Sequence, residues 1–415
     1  MYNNEKNGRN ILNPTDTENE CVNAVFKDET FSIVDCGDES RMIHISDATA
    51  DDFNDYCNKV AEKGFSLIFK RSVANNLFAT FTNESEYIYV YFTDYNKQMR
   101  IMTGPAQSLL LGDYSVCTRK EVTPYIASVP QPEMGEGYIV RLPDGRFIIQ
   151  DGGYEGDDRV YNTLRELVGD EEIIIAAWFI SHPHADHYPA FTDFIKNHSS
   201  DSDVTVERVI HNYGHIDMLT TSAKYVDPIP VADVLAFYET LEKYAPDIPV
   251  FKAHTGQLIS FGSATVEILY TVEDIIPEPI TNPNDSSMVI RIKIGEDSLI
   301  LLNDTCYASG PIIHDLWGAY LKTDIVQIAH HGMWPSVESI YHDIAGEVVL
   351  VPNLCKYFKE YITDSRWVGV IDAALSYAKD IYVSGDKLMV HKLPYVFENN
   401  KEEMYDYIIN YSAEG

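Results

Sequence analysis

Between residues 49 and 64, Ala50, Phe53, Tyr56, Cys57, Val60 and Ala61 recur at helical spacing, and Gly64 is a natural stop. The period then changes. Residues 66–71, 76–82, 87–93 and 98–103 are rich in β-branched and aromatic side chains, and the turn formers Asn75-Asn76 and Asn83-Glu84-Ser85 stand between runs. These patterns predict a small α+β domain over 21–104, a helix packed on an antiparallel sheet. Residues 1–20, rich in Asn, Glu and Thr, are expected to form a disordered lead-in.

Gly104-Pro105 opens an expected linker over 105–124, after which strands and helices alternate. Residues 137–142 and 146–150 predict a hairpin across Pro143-Asp144-Gly145, closed by Asp151-Gly152-Gly153. A helix is expected over 160–168, followed by the apolar run Ile173–Ile180. That run is continuous, β-branched and charged only on its N-terminal side, as a central strand should be. Further strands are expected near 206–210, 265–269, 288–294, 298–302, 324–329 and 348–351, with helices near 232–244 and 367–378. The alternation predicts a layered α/β domain over 125–415.

Composition narrows the function. The chain has 415 residues, 45% of them hydrophobic, which suits one large or two medium domains and excludes wholesale disorder. Lys and Arg number 31 against 64 Asp and Glu, for a net charge of −33. Such a surface repels nucleic acid and anionic lipid at long range, so neither is an expected partner and a small-molecule substrate is. Bound cations would reverse the field locally. Ile173–Ile180 is less than half the length of a membrane span, and the N-terminus lacks a signal-peptide pattern. Six scattered cysteines, Cys21, Cys36, Cys57, Cys117, Cys306 and Cys355, read as reduced thiols. A cytoplasmic location is expected.

The chemistry is concentrated at His182-Pro183-His184-Ala185-Asp186-His187, directly after the central strand. In extended backbone alternate side chains share a face, so His182, His184 and Asp186 converge, and His187 stands where the chain turns into a helix opened by Pro189. Imidazoles and a carboxylate on a strand-end loop suit zinc or another borderline divalent ion. An ordinary hydrophilic loop is a poor account of four such groups in six residues. The lone His44, by contrast, reads as structural.

At these residues the chain resembles the metallo-β-lactamase superfamily, over roughly 125–395. Residues 146–153 are similar to the family's early strand and Asp-Gly-Gly turn, and Asn303-Asp304 resembles the segment that supplies a bridging carboxylate. His330-His331-Gly332 resembles the closing motif of the branch containing DNA-uptake competence hydrolases and a choline-specific phosphodiesterase. The resemblance implies an αββα sandwich with two divalent metals at one edge, zinc first, manganese or iron as alternatives. It implies His182 and His184 on one metal, Asp186, His187 and His331 on the other, and Asp304 as the bridge. Asp186, Asp304 and His330 are then the candidate catalytic groups, His330 facing substrate or supporting a ligand.

One departure stands out. The family's usual third His on the first metal is absent, and the stretch reads Asn282-Pro283-Asn284-Asp285-Ser286-Ser287. Asn284 or Asp285 could supply an oxygen, water could fill the place, or His211 or His215 could approach from a loop, although an ordinary polar loop is the simpler reading of those two. The implied reaction is hydrolysis by a metal-bridged hydroxide, on a phosphoester or phosphodiester. Acyl substrates such as lactones or thioesters form a second reading, and a non-catalytic metal-binding sensor or scaffold a third. The missing His argues against β-lactam hydrolysis. No nucleophilic side chain is needed, so Cys306 is expected to be structural. Tyr154, Tyr188, Tyr213 and Trp334 lie near the motifs and could wall a cationic pocket, although 28 tyrosines make chance placement the simpler account.

Overall fold

The computed structural model describes residues 16–26, 31–115, 121–222 and 229–412. The chain divides into two compact units between Leu109 and Leu110.

The first unit is a six-stranded antiparallel sheet with helices Asp16–Val25 and Ala50–Glu62 against one face. Helix Ala50–Glu62 begins in a capping box, where Thr49 and Asp52 satisfy each other's backbone N–H groups. Its buried residues Phe53, Tyr56, Cys57 and Val60 form one stripe, which meets Ile43, Phe81, Val90 and Ile101 of the sheet. Helix Asp16–Val25 begins inside the stretch expected to be a lead-in; residues 1–15 lie outside the described residues. Two strands, Phe31–Gly37 and Ser40–Ile45, carried no clear signal in sequence. They join through Asp38-Glu39, both left-handed (φ 53° and 58°), where Asn-Gly is the usual marker.

The second unit holds two sheets. The first runs, in spatial order, Val250–Lys252, Val209–His211, Ile173–Ile180, Phe147–Asp151, Gly137–Arg141, Tyr125–Ser128 and Val390–Lys392, with Val204–Val206 beside Ile173–Ile180. The second runs Leu258–Phe261, Ala264–Tyr270, Val289–Ile294, Asp297–Leu301, Ile325–Gln327, Val348–Val351 and Asp380–Val383. The sheets share one core, in which Tyr138, Val140, Ile148 and Phe179 meet Val266, Ile268, Ile290 and Leu301. The far face of the first sheet is covered by Arg159–Val168, Pro189–His198 and Val231–Tyr244, through contacts such as Trp178 with Phe191 and Phe194. Helices Ser309–Trp317, Glu338–Ile344 and Val368–Ser376 pack together beyond the second sheet, where Trp317 Nε1 donates to Leu269 O (2.6 Å). The layering is αββα. Central strands buried on both faces explain why Ile173–Ile180 reads as an unbroken apolar run.

Residues 110–115, within the expected linker, are built into this unit: Leu110 lies in the shared core and Tyr114 N donates to Ser260 O (2.8 Å). Residues 116–120, including Cys117, lie outside the described residues. The other five cysteines are free thiols. Among the described residues no helix is long and apolar enough to cross a membrane.

Candidate metal centre

Ile173–Ile180 is parallel to Phe147–Asp151 on one side and to Val209–His211 on the other, so all three end at one edge. In the second sheet Asp297–Leu301 and Ile325–Gln327 are also parallel. Asp304 follows the first of these and His330 and His331 follow the second. Asn284 precedes Val289–Ile294, which is antiparallel to Asp297–Leu301 and so starts where that strand ends. Segments distant in sequence thereby meet at the rim of both sheets.

The backbone there is forced into uncommon conformations. Asp151, Asn303, His330 and His331 are all left-handed (φ 53°, 50°, 48° and 56°), a cost of order 1–3 kcal/mol each that the surroundings must outweigh. His330 N donates to Asn303 O and Asn353 Nδ2 donates to His331 O, both at 2.8 Å. A Cβ at Gly332 would stand 2.8 Å from the Phe358 ring, which explains the glycine after the paired histidines.

Two donor groups result. Asp186, His187, Asp304 and His331 place one ligand-type atom each within 4.8 Å of one another, and so do His182, His184 and Asp304. Asp304 belongs to both. Its Oδ2 lies 3.1 Å from His187 Nε2 and 3.8 Å from His182 Nε2, and its Oδ1 lies 3.5 Å from His331 Nε2. Asp186 Oδ2 lies 3.1 Å from His331 Nε2. His182 Nε2 is 2.9 Å from His184 Nδ1. His330 Nε2 is farther out, 3.7 Å from Asp304 Oδ2.

The rings are aimed from behind. Ser181 donates to Asp151 through both N (2.8 Å) and Oγ (2.6 Å), and His187 Nδ1 lies 2.8 Å from Asp151 Oδ2. With its proton committed to Asp151, Ser181 Oγ accepts from His182 Nδ1 at 3.0 Å. His331 Nδ1 donates to Pro352 O at 2.9 Å. Each of these three rings therefore keeps a proton on Nδ1 and turns Nε2 inward, the orientation that metal-ligating imidazoles require. This part for Asp151 was not apparent in sequence beyond its place in the Asp-Gly-Gly turn. At Gly153 (φ 88°) a Cβ would fall 1.9 Å from Gln131 Oε1, so a side chain there would be strained and would displace the buried Gln131 amide.

Electrostatics separates the two groups. Burial works against charge on His187 and His331, but Asp304 and Asp186 outweigh it, raising His187 well above the usual histidine range and His331 to about 10. Burial likewise opposes ionisation of Asp304, yet His187 and His331 hold it well below the carboxylate range. His182 goes the other way: burial, then the neighbouring His187 and His184, push it well down and keep it neutral. His187 Nε2 and Asp304 Oδ1 are buried without a hydrogen-bond partner. Two groups of metal-type donor atoms that share one carboxylate, with two of those atoms buried and unsatisfied, fit divalent cations.

Other sequence candidates lie elsewhere. Asp285 Oδ1 accepts from the N–H groups of Cys306, Ala308 and Ser309, so it caps helix Ser309–Trp317 instead of facing the cluster. His211 Nδ1 accepts from Tyr213 N, and His215 Nδ1 from Asp217 N; neither joins a donor group. Asn284 does approach, with Oδ1 at 3.2 Å from His182 Nε2. Tyr188 and Tyr213 are buried in the core under the helices, and Tyr188 OH donates to Asp233 O, so their ring faces wall no pocket. The Trp334 ring lies 5.9 Å from that of His330, tilted by 33°. Cys306 is buried, with Sγ 3.5 Å from His330 Nδ1.

No protein-family model and no curated protein sequence matches this chain. Solved structures do. CmlA, a diiron β-hydroxylase from Streptomyces venezuelae, is similar at 15% identity with a TM-score of 0.40, over 66% of this chain and 55% of that one. MEM-A1, a subclass B3 metallo-β-lactamase from a soil metagenome library, is similar at 12% identity and a TM-score of 0.33, over 62% and 92%. SMB-1 is similar at 13% and 0.32, over 64% and 93%. Two of these three are metallo-β-lactamases. The chain spans about half the length of CmlA.

Proposed function

We propose that this chain is a metal-dependent hydrolase acting on a phosphoester or phosphodiester. The observation that carries the reading is the placement of Asp304, which belongs to both donor groups: its Oδ2 lies 3.1 Å from His187 Nε2 in one and 3.8 Å from His182 Nε2 in the other. In this reading His182 and His184 hold one cation, Asp186, His187 and His331 the other, and Asp304 both. Two dications against the carboxylates of Asp186 and Asp304 would supply a positive centre that lowers the pKa of water and polarises an ester oxygen.

The protein's own part is to position and to exclude. Asp151 and Pro352 O hold the Nδ1 side of the His187 and His331 rings, so neither ring needs to reorient when a cation takes the place of the Nε2 proton. The deep burial of His182, His187, Asp304 and His331 keeps bulk water from the floor of the site. An anionic substrate suits a positive centre set in a chain of net charge −33, because little else on the surface attracts an anion. The same reading includes a cytoplasmic location and a small-molecule substrate.

The test is a parallel assay of zinc-, manganese- and iron-loaded protein with a phosphodiester, a phosphomonoester, a lactone and a thioester. Turnover of the phosphoesters is expected. Turnover confined to the acyl substrates would overturn the substrate class, and inactivity of every loaded form would favour a binding or sensing role.

A further inference from the structure

The His182–His184 group has one carboxylate and two imidazoles where its neighbour has two of each, and the sequence offers it no third histidine. Asn284 stands at the open side. It lies in the short turn Pro283–Ser286 and is fully buried. That turn is fastened on all sides: Asn282 Oδ1 accepts from Asn284 N (3.1 Å), Tyr270 OH donates to Asp285 O (2.6 Å), and Met288 N donates to Ser181 O (3.2 Å). The last bond ties it to the residue before His182.

The amide has two unlike ends and both are accounted for. Asn284 Nδ2 lies 3.2 Å from His330 Nε2. An amide nitrogen only donates, so His330 Nε2 accepts and its proton sits on Nδ1, beside Cys306 Sγ. The other end, Oδ1, carries only lone pairs and faces His182 Nε2 at 3.2 Å. His182 keeps its proton on the opposite nitrogen, toward Ser181. Two lone pairs at that separation repel unless a cation lies between them.

We propose that Asn284 completes the His182–His184 site through its side-chain oxygen, and that His330 is the positioning residue that aims the amide. The assignment rests on the two-cation reading above. It gives His330 a task distinct from contact with the reacting atoms, and it leaves this site with an amide oxygen where an imidazole nitrogen would otherwise stand.

The test uses the full chain, stripped of metal and titrated with Co²⁺, followed by calorimetry and by the visible absorption of the bound ion. Wild type is expected to take two ions. Asn284→Ala should weaken one step about tenfold or more and alter the cobalt spectrum of that step alone. Asn284→Asp, nearly isosteric and so safe for folding, should tighten the same step by adding charge. His330→Phe should change that spectrum in the wild-type background and do nothing further beside Asn284→Ala, while His330→Gln, which can still accept from Nδ2, should restore it. Two ions bound with affinities and spectra indifferent to both Asn284 substitutions would overturn this assignment and leave the two-cation reading standing. A wild-type chain that binds fewer than two ions would overturn both.

Discussion

The two halves of the candidate metal centre share Asp304 and differ in almost everything else. One half, Asp186, His187 and His331, pairs carboxylates with histidines whose pKa values are raised. The other, His182 and His184, holds a histidine kept neutral by burial, and its remaining neighbour is the Asn284 amide. The difference teaches that affinity and water activation need not be spread evenly over a dinuclear site. On the proposed reading, the half with raised histidines would bind a cation strongly but release protons to do so, whereas the half built on the neutral His182 would bind less tightly.

The largest effect should come from removing what the halves have in common. Asp304→Ala is expected to lose both ions and, with them, several kcal/mol of transition-state stabilisation, about 10³-fold or more in kcat. Metal analysis beside turnover checks it, and retention of both ions would break the idea of a shared carboxylate. Next, dialysis against a chelator should empty the His182–His184 half first. His182→Ala protein should then keep one slowly released ion, whereas His331→Ala protein should keep only a readily lost one.

Asp151→Asn should act on both halves together, because Asp151 orients His187 directly and His182 through Ser181. A loss of about 10–100-fold in affinity is expected for each ion, and a calorimetric titration that shows only one step weakened would contradict that double role. The smallest effect is a pH dependence. In the ion-free chain His331 keeps its proton up to about 10, and His187 is raised as well. Cation entry must displace those protons, so affinity in this half should rise with pH across the neutral range, whereas His182, already neutral, has no proton to give up. Titrations of the His182→Ala and His331→Ala proteins in buffers of different ionisation enthalpy count the protons released, and equal counts would erase the distinction.

The fold was legible wherever one residue period dominated. Helix Ala50–Glu62 showed itself through Phe53, Tyr56, Cys57 and Val60, and the central strand Ile173–Ile180 through an unbroken apolar run. Short strands such as Leu258–Phe261 and Val390–Lys392 were not, because three or four residues carry too little pattern to separate strand from loop. The turn at Asp38-Glu39 was hidden for another reason: neither residue type announces a left-handed pair. In the site, the cluster from His182 to His187 was legible by its residue types, but alternate spacing brings only His182 and His184 into one group; the chain turns at 185–187 and carries Asp186 to the other. Asp285 and Asn284 could not be told apart in sequence, being adjacent polar residues in one turn. Only the packing shows that Asp285 caps a helix while Asn284 faces His182.

By itself the sequence determined local things: which segments are helical or extended, that a strand ends in a set of metal-type ligands, and that the surface is strongly anionic. Periodicity and side-chain chemistry act over a few residues and survive without any partner. The tertiary structure decided which distant groups meet. Whether Asp304, His331, Asn284 and Asp151 gather around His182 and His187 depends on two sheets presenting their strand ends at one rim. That juxtaposition is produced by burial of the shared core, a collective and non-directional force that no short stretch of chain records.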